Sequence, residues 1–150
     1  MNYIDSIPPL PDIYIQEILN NERVNRSWFV DEQYKFYRCS DELKQWLNDN
    51  IKYKITKIGI QEMFGTILPH RDPKRDYALN YIIKTGCGEL CYYNTNVLVK
   101  AGTYVPYNLV KEVERHTIEP FRWHIISTKK LHGVVGVTEP RLSLTVDIEL

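Results

Sequence analysis

Two side chains that can bind a metal ion, His70 and Asp72, lie two residues apart in the stretch GTILPHRDPKRDYALNYI. On a β-strand, residues two apart project from the same face, so this imidazole and this carboxylate can reach a common point while Arg71 points away. Two ligands alone hold a metal poorly, and a single H-x-D pair is more often an ion pair at the surface. A metal site therefore needs a third ligand.

His132 supplies a third candidate ligand, in apolar strand sequence towards the C-terminus. Two histidines and one carboxylate form the facial triad of non-haem Fe(II) oxygenases, which leaves three coordination positions open for a co-substrate and dioxygen. His116 and His124 compete for the third position, and His124 also reads as a core or pocket-edge histidine. Neither has an arginine nine residues downstream, whereas His132 has Arg141 there. The spacing favours His132.

Arg141 and Ser143 share one face of the last predicted strand, RLSLTVDIEL. An arginine in a largely apolar strand needs an anion, because an unpaired buried charge is costly. The guanidinium fork and the neighbouring hydroxyl suit a carboxylate. We therefore expect an acidic ligand at this strand.

The order His70-x-Asp72, then His132 about sixty residues later, then Arg141-x-Ser143 resembles the 2-oxoglutarate- and Fe(II)-dependent oxygenase superfamily. The resemblance implies that the two histidines and the aspartate bind Fe(II) and form the catalytic centre. It also implies that the arginine and the serine hold the distal carboxylate of 2-oxoglutarate. The implied reaction consumes O2 and yields succinate and CO2, with hydroxylation as the default outcome, and the carboxylate ligand disfavours halogenation.

The strand DYALNYIIK offers two more residues for the co-substrate pocket. Asn80 shares a face with Ala78 and Ile82, and Tyr81 lies on the opposite face. Asn80 suits a co-substrate pocket, although an ordinary hydrogen-bonded core asparagine is an equal alternative. Oxygenases that the chain resembles often bind the co-substrate carboxylate with a tyrosine hydroxyl, and a register change of one residue would exchange the two faces. Both residues are therefore candidates.

The segments around these residues predict a mainly β protein. CSDELKQWLNDN predicts a helix at about Asp41–Asn48, capped by Ser40. From Ile51 onwards, short segments rich in β-branched and aromatic residues alternate with turns. Eight strands of about five or six residues with loops of about four to six need roughly 75–95 residues, which 51–150 supplies. The predicted strand segments are IKYKITKIGIQEMFGTIL, DYALNYIIK, GELCYYN, VLVKAGTYVPYN, KEVERHTIEP, FRWHIISTK, HGVVGV and RLSLTVDIEL.

We therefore expect a single domain over 1–150. Its core, about 51–150, is a jelly roll. The resemblance, which covers about the same residues, implies the double-stranded β-helix form of this cupin-like core. An N-terminal lead with a short helical segment occupies about 1–50. The loop with Lys74, Arg75 and Asp76 is expected to be solvated.

Charge and composition limit the partners. Nineteen basic and nineteen acidic side chains give a formal net charge of zero, so no long-range field attracts nucleic acid or an anionic membrane. No segment approaches the roughly 20 apolar residues of a membrane span, and no secretion signal is visible. We expect a soluble cytoplasmic protein whose three cysteines, Cys39, Cys87 and Cys91, are free thiols.

The leading functional hypothesis is an enzyme, a non-haem Fe(II)- and 2-oxoglutarate-dependent dioxygenase. Its expected substrate is a protein side chain or a small metabolite, hydroxylated with formation of succinate and CO2. Two alternatives stay open: a cupin-like metal enzyme that does not use 2-oxoglutarate, and a catalytically silent β-barrel binding protein. The expected H-x-H ligand pair of the first alternative is absent from the sequence.

Overall fold

The computed structural model describes residues 1–20, 29–30 and 33–150, and the part of the N-terminal lead at 21–28 and 31–32 lies outside the described residues. The described chain folds into two antiparallel sheets with two helices. In chain order the elements are β1 (Asn2–Tyr3), α1 (Asp12–Leu19), β2 (Phe29–Val30), β3 (Tyr34–Tyr37), α2 (Asp41–Asn50), β4 (Lys54–Met63), β5 (Ile67–His70), β6 (Tyr77–Lys84), β7 (Glu89–Asn94), β8 (Lys111–His116), β9 (Trp123–Ser127), β10 (His132–Val135) and β11 (Arg141–Glu149).

The larger sheet has the strand order β1-β9-β6-β11-β4-β3-β2, and the smaller sheet has the order β5-β10-β7-β8. This arrangement confirms the predicted mainly β, jelly-roll fold with a cupin-like core. The region 51–150 contains eight strands, β4 to β11, which is the number expected. Among the described residues, no helix is long and apolar enough to cross a membrane.

The helix predicted at Asp41–Asn48 is confirmed as α2 and ends two residues later, at Asn50. The hydroxyl of Ser40 accepts a hydrogen bond from the backbone N–H of Leu43 at 3.1 Å, which caps the first turn. Leu43 and Leu47 are fully buried, because the helix packs one face against the outer side of the larger sheet. Helix α1 was not predicted from the sequence, and its Ile18 is buried in the same cluster.

One predicted strand is divided in two, and another is not a strand. The segment at 51–68 forms two strands, β4 and β5, and the segment at 97–108 forms a loop that ends in a 3-10 turn at Tyr107–Leu109. That loop turns at Gly102, whose φ of +85° favours glycine, and it lies along β5 through single backbone bonds such as Val105 N–H to the Pro69 carbonyl at 2.8 Å. Pro106 follows at once and has no N–H to extend a ladder.

Alternation along β11 separates the core from an internal cavity. Leu142, Leu144, Val146 and Ile148 join the core cluster under the helices. The alternate residues face a cavity of about 310 Å³ between the two sheets: Arg141, Ser143, Thr145 and Asp147. The period of two along a strand thus places four polar side chains of one strand in a shared interior space.

The smaller sheet brings the two distant histidines together. His132 on β10 is the cross-strand partner of His70 on β5. The strands approach closely beside them, since a Cβ on Gly133 would stand 2.5 Å from the carbonyl oxygen of Ile67. A glycine at this position therefore permits the pairing that the site needs. The described cysteines are free, as expected, with Cys39 and Cys91 buried and Cys87 exposed.

Candidate metal centre and acid pocket

Three predicted ligands converge at one end of the cavity. His70, Asp72 and His132 offer ligand atoms that all lie within 4.8 Å of one another. Nε2 of His70 is 3.3 Å from Oδ1 of Asp72, and Nε2 of His132 is 4.0 Å from Oδ2 of the same carboxylate. The structure thus brings together the residues that the sequence selected, although β5 ends at His70 and Asp72 lies in the following loop.

The backbone turns Asp72 back towards the histidines. Its N–H donates to the carbonyl of Thr128 at 2.9 Å, and the hydroxyl of Thr128 donates to the carbonyl of Arg75 at 2.6 Å. Thr128 is completely buried. A side chain at the end of β9 therefore fixes the loop that carries the acidic ligand.

Backbone carbonyls orient both imidazoles in the same way. Nδ1 of His70 is 2.8 Å from the carbonyl of Leu68, and Nδ1 of His132 is 2.7 Å from the carbonyl of Lys130. Since a carbonyl only accepts, each Nδ1 carries a hydrogen, and Nε2 is the ring nitrogen that faces Asp72 and can bind a metal when the ring is neutral. This second contact is the one that metal-binding histidines usually make.

The charge states also fit a cation. Burial, followed by the proximity of His70, lowers the pKa of His132 to about 4, so its ring is neutral near pH 7. Burial alone would raise the pKa of Asp72, but the His70 hydrogen bond and the charge of Arg75 outweigh it and hold that pKa well below its usual range. Two imidazoles and one ionised carboxylate are a donor set that fits a divalent transition metal, to which each imidazole binds in its neutral form.

Arg75 corrects the expectation of a solvated loop. Its side chain is 24% exposed and donates to Oδ2 of Asp72 at 2.6 Å and to Oδ1 of Asp147 at 2.9 Å. It turns inwards because these two partly buried carboxylates need a counter-charge. Because Arg75 is bonded to Oδ2 of Asp72, the carboxylate oxygen left for a metal is Oδ1, which faces His70.

Arg141 and Ser143 line the same cavity as the three ligands. Arg141 is 6% exposed, and its guanidinium donates to the carbonyl of Gly88 at 2.8 Å and more weakly to that of Thr85 at 3.4 Å. Burial lowers the pKa of Arg141 to about 10, with no acidic side chain acting against it. Within the described part of the chain this buried cation has no carboxylate partner, so the pocket favours an acidic ligand.

The structure separates the two candidates on β6. Asn80 lines the cavity, opposite Thr145 on β11. Tyr81 is 1% exposed and lies on the other face, where its ring packs 5.0 Å from that of Trp123 under the helices. The expected role of Tyr81 in the co-substrate pocket is wrong, because β6 keeps the register that its alternation predicts and the tyrosine therefore belongs to the core.

Of the two histidines that competed with His132 as the third ligand, only His124 lines the cavity. His116 pairs with Glu114 at 3.0 Å, packs its ring 5.9 Å from that of Tyr92 and does not line the cavity. His124 lines the cavity but belongs to none of the described groups of three possible ligands within ligand distance. His132 is thus the histidine that joins His70 and Asp72.

Two residues near the site had no specific role assigned from the sequence, although His124 was a candidate for the pocket edge. Tyr104, in the loop before the 3-10 turn, places its ring 5.3 Å from that of His70 and is 43% exposed at the rim. His124 lies in the cavity wall, 2% exposed. The alternation of WHIIS could have assigned His124 to the face opposite Trp123, but no local signal relates the loop of Tyr104 to β5.

No protein-family model matches the chain, and none of the curated proteins matches it in sequence. Its fold does match solved structures. The Escherichia coli protein YcfD, a ribosomal oxygenase, aligns with a TM-score of 0.52 at 11% identity over 100% of this chain and 47% of that chain. Vicilin from hazelnut, Corylus avellana, aligns with a TM-score of 0.50 at 7% identity over 83% of this chain and 31% of that chain.

These identities support the fold alone, and the chain spans less than half the length of either protein. Fold and site together define a cupin-like jelly-roll protein with a possible His-Asp-His metal site in an internal cavity. The fold occurs both in an oxygenase and in a vicilin, so activity must be argued from the side chains of the cavity.

Proposed function

We propose that this protein is a non-haem Fe(II)- and 2-oxoglutarate-dependent dioxygenase. The observation that carries the proposal is one cavity containing both the convergent His70, Asp72 and His132 and the buried cation Arg141, which lacks a carboxylate partner in the described chain. A three-residue ligand set leaves coordination positions open, and the cation gives an acid a place to bind beside it. Neither feature alone would favour a dioxygenase over another metal-binding cupin fold.

Each side chain would have a specific task. The Nε2 atoms of the two histidines and Oδ1 of Asp72 would hold Fe(II), and Arg75 would keep Oδ2 occupied. Arg141 would bind the distal carboxylate of 2-oxoglutarate with the hydroxyl of Ser143. Fe(II), 2-oxoglutarate and O2 would together supply the oxidation of a substrate C–H bond, with release of succinate and CO2.

Apolar walls would complete the pocket. The cavity between the metal ligands and Arg141 is bounded by aliphatic side chains of both sheets: Ile67, Ile82, Leu90, Ile118, Ile126 and Val134. Such walls suit the methylene groups of an acid and exclude water from its neighbourhood. The primary substrate is proposed to be a protein side chain or a small metabolite, in the cytoplasm, and nucleic acid is disfavoured by the zero net charge.

Metal binding is the first test. We expect wild-type protein to bind one equivalent of Mn(II), used as an unreactive substitute for Fe(II), in a calorimetric titration. His70→Ala and His132→Ala should each lose that binding, because two remaining ligands hold a metal poorly. His116→Ala is the matched control, since His116 is paired with Glu114 away from the cavity. Binding like that of the wild type in both ligand variants would contradict the metal assignment.

Co-substrate use is the second test. Mn(II)-loaded protein should bind 2-oxoglutarate, and Fe(II)-loaded protein should release succinate under air when a library of peptides or metabolites contains its substrate. A protein that binds metal but has no affinity for 2-oxoglutarate would instead fit the cupin-like metal enzyme without this co-substrate. A protein that binds neither would fit the catalytically silent alternative.

A further inference from the structure

His124 is a buried polar side chain whose hydrogen bonding the described protein leaves incomplete. It is 2% exposed, and its Nδ1 has no hydrogen-bond partner among the described residues. Burial, and then the charge of Arg141, lower the pKa of His124 to about 4 and outweigh a contact with the backbone of Arg122 that raises it, so the ring is neutral near pH 7. Buried polar atoms without partners are uncommon, and each requires an explanation.

The position of His124 in the sheet suggests the explanation. His124 on β9 is the cross-strand partner of Asn80 on β6, and Asn80 is in turn the partner of Thr145 on β11. All three side chains line the cavity that contains Arg141. A row of polar groups therefore crosses three adjacent strands on the floor of a pocket that already favours an acid.

A metal-binding role does not account for His124. The described cluster of possible metal ligands contains the other two cavity histidines with Asp72, and His124 is outside it. A structural role accounts for only part of the ring, because its contact with the backbone of Arg122 is not a hydrogen bond of normal geometry, and no side chain among the described residues is hydrogen-bonded to it. A group that binds in the cavity can supply such a bond, because His124 lines the cavity close enough to Arg141 to feel its charge.

We propose that His124 binds the organic acid held by Arg141, by a hydrogen bond between its neutral imidazole and an oxygen of that acid. The ligand class is a small dicarboxylate or 2-oxo acid with one carboxylate on the arginine and a second oxygen within reach of the imidazole. This inference rests on the proposed function to the extent that both require an acid in this cavity. It does not require that the acid be 2-oxoglutarate.

The proposal predicts opposite effects on affinity and stability. His124→Phe keeps an aromatic ring but removes both ring nitrogens, so affinity for the acid should fall about ten- to a hundredfold, the usual effect of one hydrogen bond to a charged group. The unfolding temperature of the ligand-free variant should stay the same or rise, because a buried polar atom without a partner is removed. A residue with only a structural role would lower the unfolding temperature when replaced.

The experiment uses Mn(II)-loaded full-length protein and three probes: 2-oxoglutarate, succinate and oxalate. Calorimetry gives the affinity of each probe for wild type, His124→Phe, His124→Gln and the control His116→Phe, and thermal unfolding is followed without ligand. His124→Gln keeps a hydrogen-bonding amide, so we expect its affinity to lie between those of wild type and His124→Phe. The control should match the wild type, since His116 does not line the cavity.

The outcomes separate this inference from the proposed function. If 2-oxoglutarate binds and only the His124 variants lose affinity, both proposals are supported. If 2-oxoglutarate fails but succinate or oxalate binds and depends on His124, the dioxygenase proposal is refuted and the His124 proposal is supported. If His124→Phe binds every probe as well as wild type, or if its unfolding temperature falls along with affinity, the His124 proposal is overturned. It is also overturned if wild type binds none of the three acids.

Discussion

Replacing Arg75 by methionine should test how the acidic ligand is held. Arg75 joins Asp72, in the loop after β5, to Asp147 on β11, and also reaches the hydroxyl of Thr145 at 3.4 Å. Methionine keeps most of the apolar stem but removes the charge and all three hydrogen bonds. Two carboxylates that are 14% and 15% exposed would then be left without their shared cation.

The expected loss of stability follows from that geometry. Removing one partner of a buried ion pair costs about 3–5 kcal/mol, and because Arg75 is partly exposed we expect the lower end, about 3 kcal/mol. For a chain of 150 residues, 1 kcal/mol lowers the unfolding temperature by about 2–4 °C, so Arg75→Met should unfold about 6–12 °C below wild type. Arg75→Lys keeps the charge but not the fork, and should lose about half as much.

The assay is thermal unfolding followed by circular dichroism at pH 7, with a chelator present so that bound metal does not add its own stabilisation. Arg71→Met is the matched control, since it removes an arginine from the same loop that makes no ion pair among the described residues. If Arg75→Met and Arg71→Met both unfold within about 2 °C of wild type, less than the shift that 1 kcal/mol would give, the bridge does not hold Asp72 and the reasoning is refuted.

Further predictions concern the acid pocket and pH. Arg141→Met should weaken 2-oxoglutarate binding about ten- to a hundredfold at unchanged Mn(II) content, because charge-assisted hydrogen bonds are lost; equal affinity by calorimetry would place the anchor elsewhere. Ser143→Ala should act in the same direction but more mildly, since it deletes one hydroxyl. The free energy of unfolding of the metal-free protein should fall as the pH is lowered from about 6.5 to 4, because burial lowers the pKa of both His124 and His132 to about 4 and the unfolded chain takes up protons that the folded chain does not. In urea titrations across this range, His124→Phe should show a shallower dependence, and an equal slope would contradict the burial of a neutral His124.

The sequence determined much of the site because the relevant signal is local. Alternation along a strand assigns Arg141 and Ser143 to one face and Leu142 and Leu144 to the other, and the structure has that arrangement. The same rule assigns Asn80 and Tyr81 to opposite faces of β6. In the structure Asn80 lines the cavity and Tyr81 lies in the core. The helix at Asp41 was readable from its capping serine for the same reason, since the cap and the first turn are adjacent in the chain.

Long-range pairing was decided only by the tertiary structure. Which strand lies beside which, and in what register, depends on the packing of the complete sheets, so the row from His124 across Asn80 to Thr145 could not be read from any one segment. The inward turn of Arg75 has the same origin, because Asp147 is 72 residues away in sequence and supplies half of the charge that draws the arginine in.

The difference has one physical reason. The direction of a side chain relative to its own strand is fixed by backbone geometry over two residues, and a sequence displays it directly. The neighbours that the side chain meets are fixed by the free energy of burying whole faces of two sheets against each other, to which every strand contributes. The sequence therefore indicated which residues could bind a metal and an acid, and the fold decided that His132 stands beside His70 and that His124 and Arg141 share one cavity.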